Sequence, residues 1–277
     1  MSYKTILVHL TDGRRAEAVL EPAAQLATRF SSHMIGLHAH CAVPAAPVPI
    51  IPSVLGGIVA AERENREAIA DSFKRVTTRM ALVAEWQLKK AARADVASVV
   101  LEHAHAADLI VAGQTDPAWD QSPLMDVPER LAMESGRPVL VIPCAGRYAT
   151  IGRRIVIAWK SRREAARATF DALPLLKQAE AVHILEIKEH EDDARSALGP
   201  DTSIAVALAR HGIKPEVHTS VAGDIGVGDE ILSRAADLDA DLLVMGAYGH
   251  SRFRELVFGG ATRHIARHMT LPTLFSH

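Results

Sequence analysis

Asp241-Leu242-Leu243-Val244-Met245-Gly246-Ala247-Tyr248-Gly249 opens the stretch that decides the fold, which runs on through Gly259 and Gly260 to a helical pattern over 261–268. Four consecutive apolar residues without alternation, Leu242 to Met245, suit a parallel strand covered on both faces. The glycines that follow are spaced Gly246-x2-Gly249-x9-Gly259. Glycines at a strand end and a helix start let backbone N–H groups approach a ligand closely, and a helix N-terminus favours an anion. On spacing alone two readings stand: a phosphate cradle, or glycines that only make turns.

Working outward from this stretch, the chain repeats itself. Residues 108–113 (Asp-Leu-Ile-Val-Ala-Gly) match 241–246 at an offset of 133, 3–10 match 152–159 at 149 (155 minus 6), and 137–142 match 271–276 at 134. Three matches in one order mean an internal duplication. The larger first offset places about 16 extra residues (149 minus 133) in the first copy, and the Pro- and Gly-rich segment 41–57 holds much of that excess. Within each copy, strands alternate with helical patterns, which predicts βαβ units and a parallel sheet. The expected helices include 14–30, 58–82 and 95–107 in the first copy, and 163–178, 202–211 and 229–238 in the second. Strands are expected at 34–40, a short edge strand at 85–88, 139–142, 181–187 and 215–221. Five strands per copy predict an α/β chain of two flavodoxin-like doubly wound sheets of order 3-2-1-4-5, with ligands at the carboxyl edge near strands 1 and 4. The domains are set at 1–147 and 148–277, divided in the linker between Gly146 and Gly152.

The glycine pattern resembles the nucleotide-binding signature of the universal stress protein family, and the resemblance covers nearly the whole chain as two copies. It implies adenine nucleotide α-hydrolase-like domains paired as an internal pseudo-dimer through their last strands, 139–142 against 273–276. It also implies that the second copy holds ATP or another adenine nucleotide, with Mg2+ only alongside the nucleotide. The implied contacts are Ala158, Trp159, Lys160, Ile187, Gly246, Tyr248, Gly249, Gly259, Gly260, Ala261 and Thr262. Two residues depart from the family pattern. Gly260 stands where a serine or threonine normally follows the last glycine, and Lys160 stands where strand 1 normally ends in Asp. An ammonium only donates, so it cannot accept adenine or ribose hydrogen bonds; it either approaches phosphate or points into solvent. Trp159 either stacks on a base or closes the pocket. The first copy lacks the second and third glycines and carries Asp116, Asp120 and Asp126, which repel phosphate, so it is read as an architectural companion. The family implies a stress-response regulatory module. The alternative is a non-nucleotide scaffold or interaction protein with a vestigial pocket. No general base is evident, so no catalytic residue is assigned, and slow ATP hydrolysis is the most that is expected.

Composition bounds the remaining classes. The 277 residues carry a net charge of −2, with 48% hydrophobic and 23% charged residues. Nothing in that balance points to nucleic acid or an anionic membrane. Two cysteines, Cys41 and Cys144, fit a reducing compartment, and the start of the chain lacks a signal-peptide pattern, so cytoplasm is the expected location. Partners beyond the nucleotide are a homo-oligomer or another protein. Among 14 histidines, His9, His38 and His40 fall near the ends of adjacent strands with Cys41 close by. They are ordinary strand-end residues or a metal site, and no metal is assigned. His250, His264 and His268 surround the glycine stretch, and Arg252, Arg254, Arg263 and Arg267 form either a phosphate-attracting rim or a solvated face.

Overall fold

The computed structural model describes residues 2–41, 52–91, 95–116, 127–188, 202–247 and 260–277. The chain divides into two compact units, Ser2–Arg137 and Pro138–His277.

In the first unit, β1 (Thr5–His9) pairs in parallel with β2 (His33–Cys41) and with β4 (Leu109–Gly113), and β2 pairs in parallel with β3 (Ala84–Ala91). The helices are α1 (Ala16–Phe30), α2 (Pro52–Arg79), α3 (Val96–Ala104) and α4 (Val127–Glu134). The sheet order is β3-β2-β1-β4. Strand β3 is longer than the sequence suggests: it follows β2 for eight residues from Met34↔Ala84 to Cys41↔Ala91.

The second unit repeats the plan. Strand β6 (Arg154–Trp159) lies between β7 (Ala181–Lys188) and β9 (Leu242–Gly246), β8 (Glu216–Val221) pairs with β7, and β10 (Thr273–Ser276) pairs with β9, all in parallel. On its other side β10 pairs antiparallel with β5 (Val139–Ile142), through Val139↔Phe275, Leu140↔Leu274 and Val141↔Thr273. The order is β8-β7-β6-β9-β10-β5. Strand β5 ends the first sequence repeat, yet it falls within the second compact unit because its partner there is β10. The helices are α5 (Arg163–Asp171), α6 (Leu173–Leu176), α7 (Ser203–Arg210), α8 (Val227–Asp237) and α9 (Gly260–His268). The single helix expected over 163–178 is two, because Pro174 has no N–H to continue the ladder. Past α7, Gly212 adopts φ +82°, the left-handed conformation that ends a helix.

The central strands are apolar throughout because both faces are covered: Ile155, Val156, Leu242, Leu243 and Val244 are fully buried. What fixes their register is polar. Asp108, just before β4, accepts hydrogen bonds on Oδ2 from the Lys4 and Thr5 amides at 2.7 and 2.9 Å. Asp241, its counterpart before β9, accepts on Oδ1 from the amides of Gly152, Arg153 and Arg154 at 3.0, 2.9 and 2.9 Å. Each carboxylate satisfies the N–H groups that enter the central strand and have no ladder partner there.

Replacing Asp241 with Ala should lower the unfolding free energy in urea by about 1–3 kcal/mol, since three strand-entry amides lose their acceptor. Asp241→Asn keeps one carbonyl oxygen and should lose less. An unchanged urea midpoint for Asp241→Ala would show that water replaces the carboxylate without cost.

Candidate functional site

In a parallel sheet flanked by helices, strand carboxyl ends and helix amino ends meet on one side. In the second unit they border a cavity of about 470 Å3 between the described residues. Its apolar lining comes from Ala158 and Trp159 at the end of β6, Leu185 and Ile187 on β7, Met245 on β9, and Ile225 on the turn before α8. Trp159 is largely buried, whereas Ile225 is 55% exposed, an apolar side chain at the rim.

The polar lining comes from helix starts. The first turns of α5 (Glu164, Ala165), α8 (Val227, Gly228, Asp229) and α9 (Gly260, Ala261, Thr262) all face the cavity. The N-cap residues of α5 and α8, Arg162 and Gly226, give no side-chain capping bond, so these first turns are not closed off by their own sequence. Gly226 adopts φ +85°, where any other residue would be strained. The convergence concentrates backbone donors and partial positive charge on one space.

Charge at these starts is uneven. Glu164 is buried in the first turn of α5 and bonds to Arg163 Nε. Burial pushes its carboxyl up, but the hydrogen bond from Arg163, that from its own amide and the Arg163 charge together outweigh this and hold it below the usual range. Asp229, in the first turn of α8, bonds to His264 Nε2 of α9 at 2.9 Å. A Cβ on Gly228 would come within 2.7 Å of the His264 ring, so that ring is packed over the start of α8 and ties two helix ends together. The first turn of α9 carries no acidic residue. Lys160 and Arg162, both exposed, add cationic groups to the lining.

Of the residues singled out in the sequence, Ala158, Trp159, Lys160, Ile187, Gly246, Gly260, Ala261 and Thr262 line this cavity. Tyr248, Gly249 and Gly259 lie outside the described residues, as do His250, Arg252 and Arg254. Gly246 also has a packing role: a Cβ there would sit 2.6 Å from the backbone of Glu164 and Ala165, so its absence lets α5 approach β9. At Gly260, by contrast, a Cβ would meet nothing within 4 Å among the described residues. His268 bonds through Nδ1 to the His264 carbonyl at 3.0 Å, and Arg263 and Arg267 are exposed. The Gly223–Gly228 turn and Glu164 were missed; Gly226-Val227-Gly228 before a helical pattern was the signal that could have found the turn.

The corresponding place in the first unit is nearly filled, with about 40 Å3 between the described residues. Asp12 is buried and paired with Arg14, whose Nη2 lies 2.9 Å from Oδ2. Asn65 of α2 clamps the turn, accepting from the Gly13 amide at 2.7 Å and donating to the Thr11 carbonyl at 2.9 Å. Behind it, His38 donates from Nδ1 to the Leu10 carbonyl at 2.7 Å. Glu62 of α2 lies 3.5 Å from His38 Nε2 and 3.6 Å from His40 Nδ1, within ion-pair range of both rings. The Cys41 side chain is outside the description. Burial, helped by His38, pulls His9 down to about 3.

A family model described as the universal stress protein family matches residues 2–143 and again 153–277, so the chain belongs to that family, with two of its domains in tandem. The universal stress protein Slr1230 of Synechocystis sp. is 35% identical over 94 residues, 34% of this chain; the match spans 31% of that protein's length. Among solved structures, a universal stress protein from Archaeoglobus fulgidus superposes with a TM-score of 0.72 at 16% identity, over 99% of this chain and 96% of its own. A putative universal stress protein from Pseudomonas aeruginosa gives 0.61 at 14% identity, over 99% and 93%. These structures share the fold. No helix among the described residues is long and apolar enough to cross a membrane.

His9 supplies a pH test. Neutral in the fold and with an ordinary value of 6.5 when unfolded, it contributes fully above pH 6.5 and progressively less as the pH falls toward about 3. The unfolded chain binds the extra proton in that window, so denaturation free energy should fall between about pH 6 and pH 4 by up to about 1.4 kcal/mol per pH unit more in the wild type than in His9→Gln. Equal slopes would assign the acid sensitivity to other groups.

Proposed function

We propose that the second unit binds an adenine nucleotide, ATP or a relative, and that the protein acts as a nucleotide-responsive regulatory module of the stress response. The observation that carries this reading is the convergence of three helix N-termini on a cavity whose other wall is apolar. The volume falls in the range of small-molecule sites. An apolar wall of Leu185, Ile187 and Met245 suits a base, and helix starts suit phosphate.

Charge decides where phosphate would go. Glu164 and Asp229 already hold negative charge at α5 and α8, which leaves the start of α9, with Lys160 and Arg162, as the phosphate side. A backbone amide at Gly260 serves where the family usually has a hydroxyl. Mg2+ would enter with the nucleotide. The first unit, with its small cavity and clamped turn, acts as companion; partners and assembly would be set by the nucleotide state. Membership of the universal stress protein family supports the stress-response part of the reading.

Isothermal titration with ATP, ADP and AMP, with and without Mg2+, should give saturable binding. Ala261→Asp places a carboxylate in the first turn of α9, which helps the helix and opposes phosphate. It should weaken nucleotide binding at least about tenfold, roughly 1.4 kcal/mol, without lowering Tm. Lys160→Ala should weaken ATP more than AMP. Absence of heat and of any thermal shift at millimolar nucleotide would reject the proposal in favour of a scaffold with a vestigial pocket.

A further inference from the structure

We infer that His183, Glu216 and His218 form a binding site for a divalent transition metal of zinc type, on the second unit and separate from the cavity. The three residues stand on neighbouring parallel strands, His183 on β7 and the other two on β8. The register pairs His183 with Glu216 and Leu185 with His218. Residues two apart on a strand share a face, so all three side chains lie on the same face of the sheet.

Their donor atoms meet. His183 Nδ1 lies 3.1 Å from His218 Nε2 and 3.3 Å from Glu216 Oε2, and His218 Nε2 lies 3.7 Å from the same oxygen. Ligands bound tetrahedrally to zinc at 2.0–2.1 Å stand roughly 3.3–3.4 Å apart, so the triangle is already close to one face of that tetrahedron. Among the described residues this is the group of histidine and carboxylate ligands that comes together in this way. The His38–Glu62–His40 cluster of the first unit is not such a group, although Glu62 lies within ion-pair range of each ring.

Two imidazoles and one carboxylate favour zinc and its first-row neighbours over Mg2+ or Ca2+, which prefer all-oxygen shells. The mixture of burial also fits: His183 is buried, His218 is partly exposed, and Glu216 is 71% exposed. A fourth position therefore opens to solvent. Without an ion, two nitrogens and one carboxylate oxygen crowd together around few protons; a cation gives all three a partner. Strand β8 is the last strand in the order of its unit, so the ion would fasten an edge strand to β7. None of the three lines the cavity, but the site lies close beneath it: His183 is two residues before Leu185 and four before Ile187 of the cavity wall, roughly 7 and 13 Å along β7.

The test uses the full chain, stripped with EDTA and desalted, then titrated with ZnCl2 and separately with MgCl2 by calorimetry. Wild type should bind zinc with one equivalent that His218→Ala lacks. Glu216→Gln, an exposed change that leaves the core intact, should weaken that equivalent at least about tenfold, the loss that even an outer partner's removal causes. Zinc should raise Tm in the wild type and raise it less in Glu216→Gln. Should His218→Ala fail to fold, Glu216→Gln carries the test alone. Unchanged zinc stoichiometry and affinity in these variants would overturn the inference. So would loss of zinc in His40→Gln with none in Glu216→Gln, or equally strong binding of Mg2+.

Discussion

The second unit depends on the Asp241 carboxylate bound to the amides that enter β6. An apolar parallel sheet has little in its side chains to prevent slippage, because successive residues are buried alike on both faces. A carboxylate bonded to three consecutive amides admits one alignment of β9 beside β6. That alignment fixes where the two strands end, and therefore where Trp159, Met245 and Gly246 meet the helix starts. Asp108 does the same for β1 and β4 in the first unit. The duplication has kept this device in both copies.

Beyond that shared frame the copies diverge at their carboxyl edges. In the first, the space is taken by bonds the protein makes with itself: Asn65 holds the turn, Arg14 holds Asp12, and Glu62 stands against two histidines. In the second, helix starts face a cavity, and those of α5 and α8 lack side-chain caps of their own. Polar groups in the first unit are used for rigidity, while those of the second remain arranged around a space. A tandem chain of the universal stress protein family can divide labour in this way because each unit has its own core.

The helix starts around the cavity are not equivalent. Glu164 and Asp229 each place negative charge at a positive helix end and are themselves tied, to Arg163 and His264. The His264–Asp229 bond also joins α8 to α9, so displacement of either helix would disturb the other. The α9 start, at Gly260, has no acidic residue in its first turn. The charge of this edge therefore rests on placed carboxylates as much as on helix starts.

Much of the architecture was legible in the residues. The apolar runs 108–113 and 241–246, repeated in order with 3–10 and 152–159, made the duplication and the parallel strands readable, since short unalternating apolar runs ending in glycine suit strands covered on both faces. Pro174 explains the one helix that broke. Gly246 was readable as the first glycine of the spaced set, but its closeness to the α5 backbone was not, because that contact joins residues about 80 positions apart. The place of Glu164 at the cavity and the pairing of His264 with Asp229 were likewise beyond the sequence. By itself the sequence determined which segments are buried strands and that there are two copies of them, because periodicity and burial are local properties. Only the tertiary structure decided which helix ends face one another, which carboxylates stand among them, and that His183 meets Glu216 and His218, because those distances depend on the register between strands far apart in the chain.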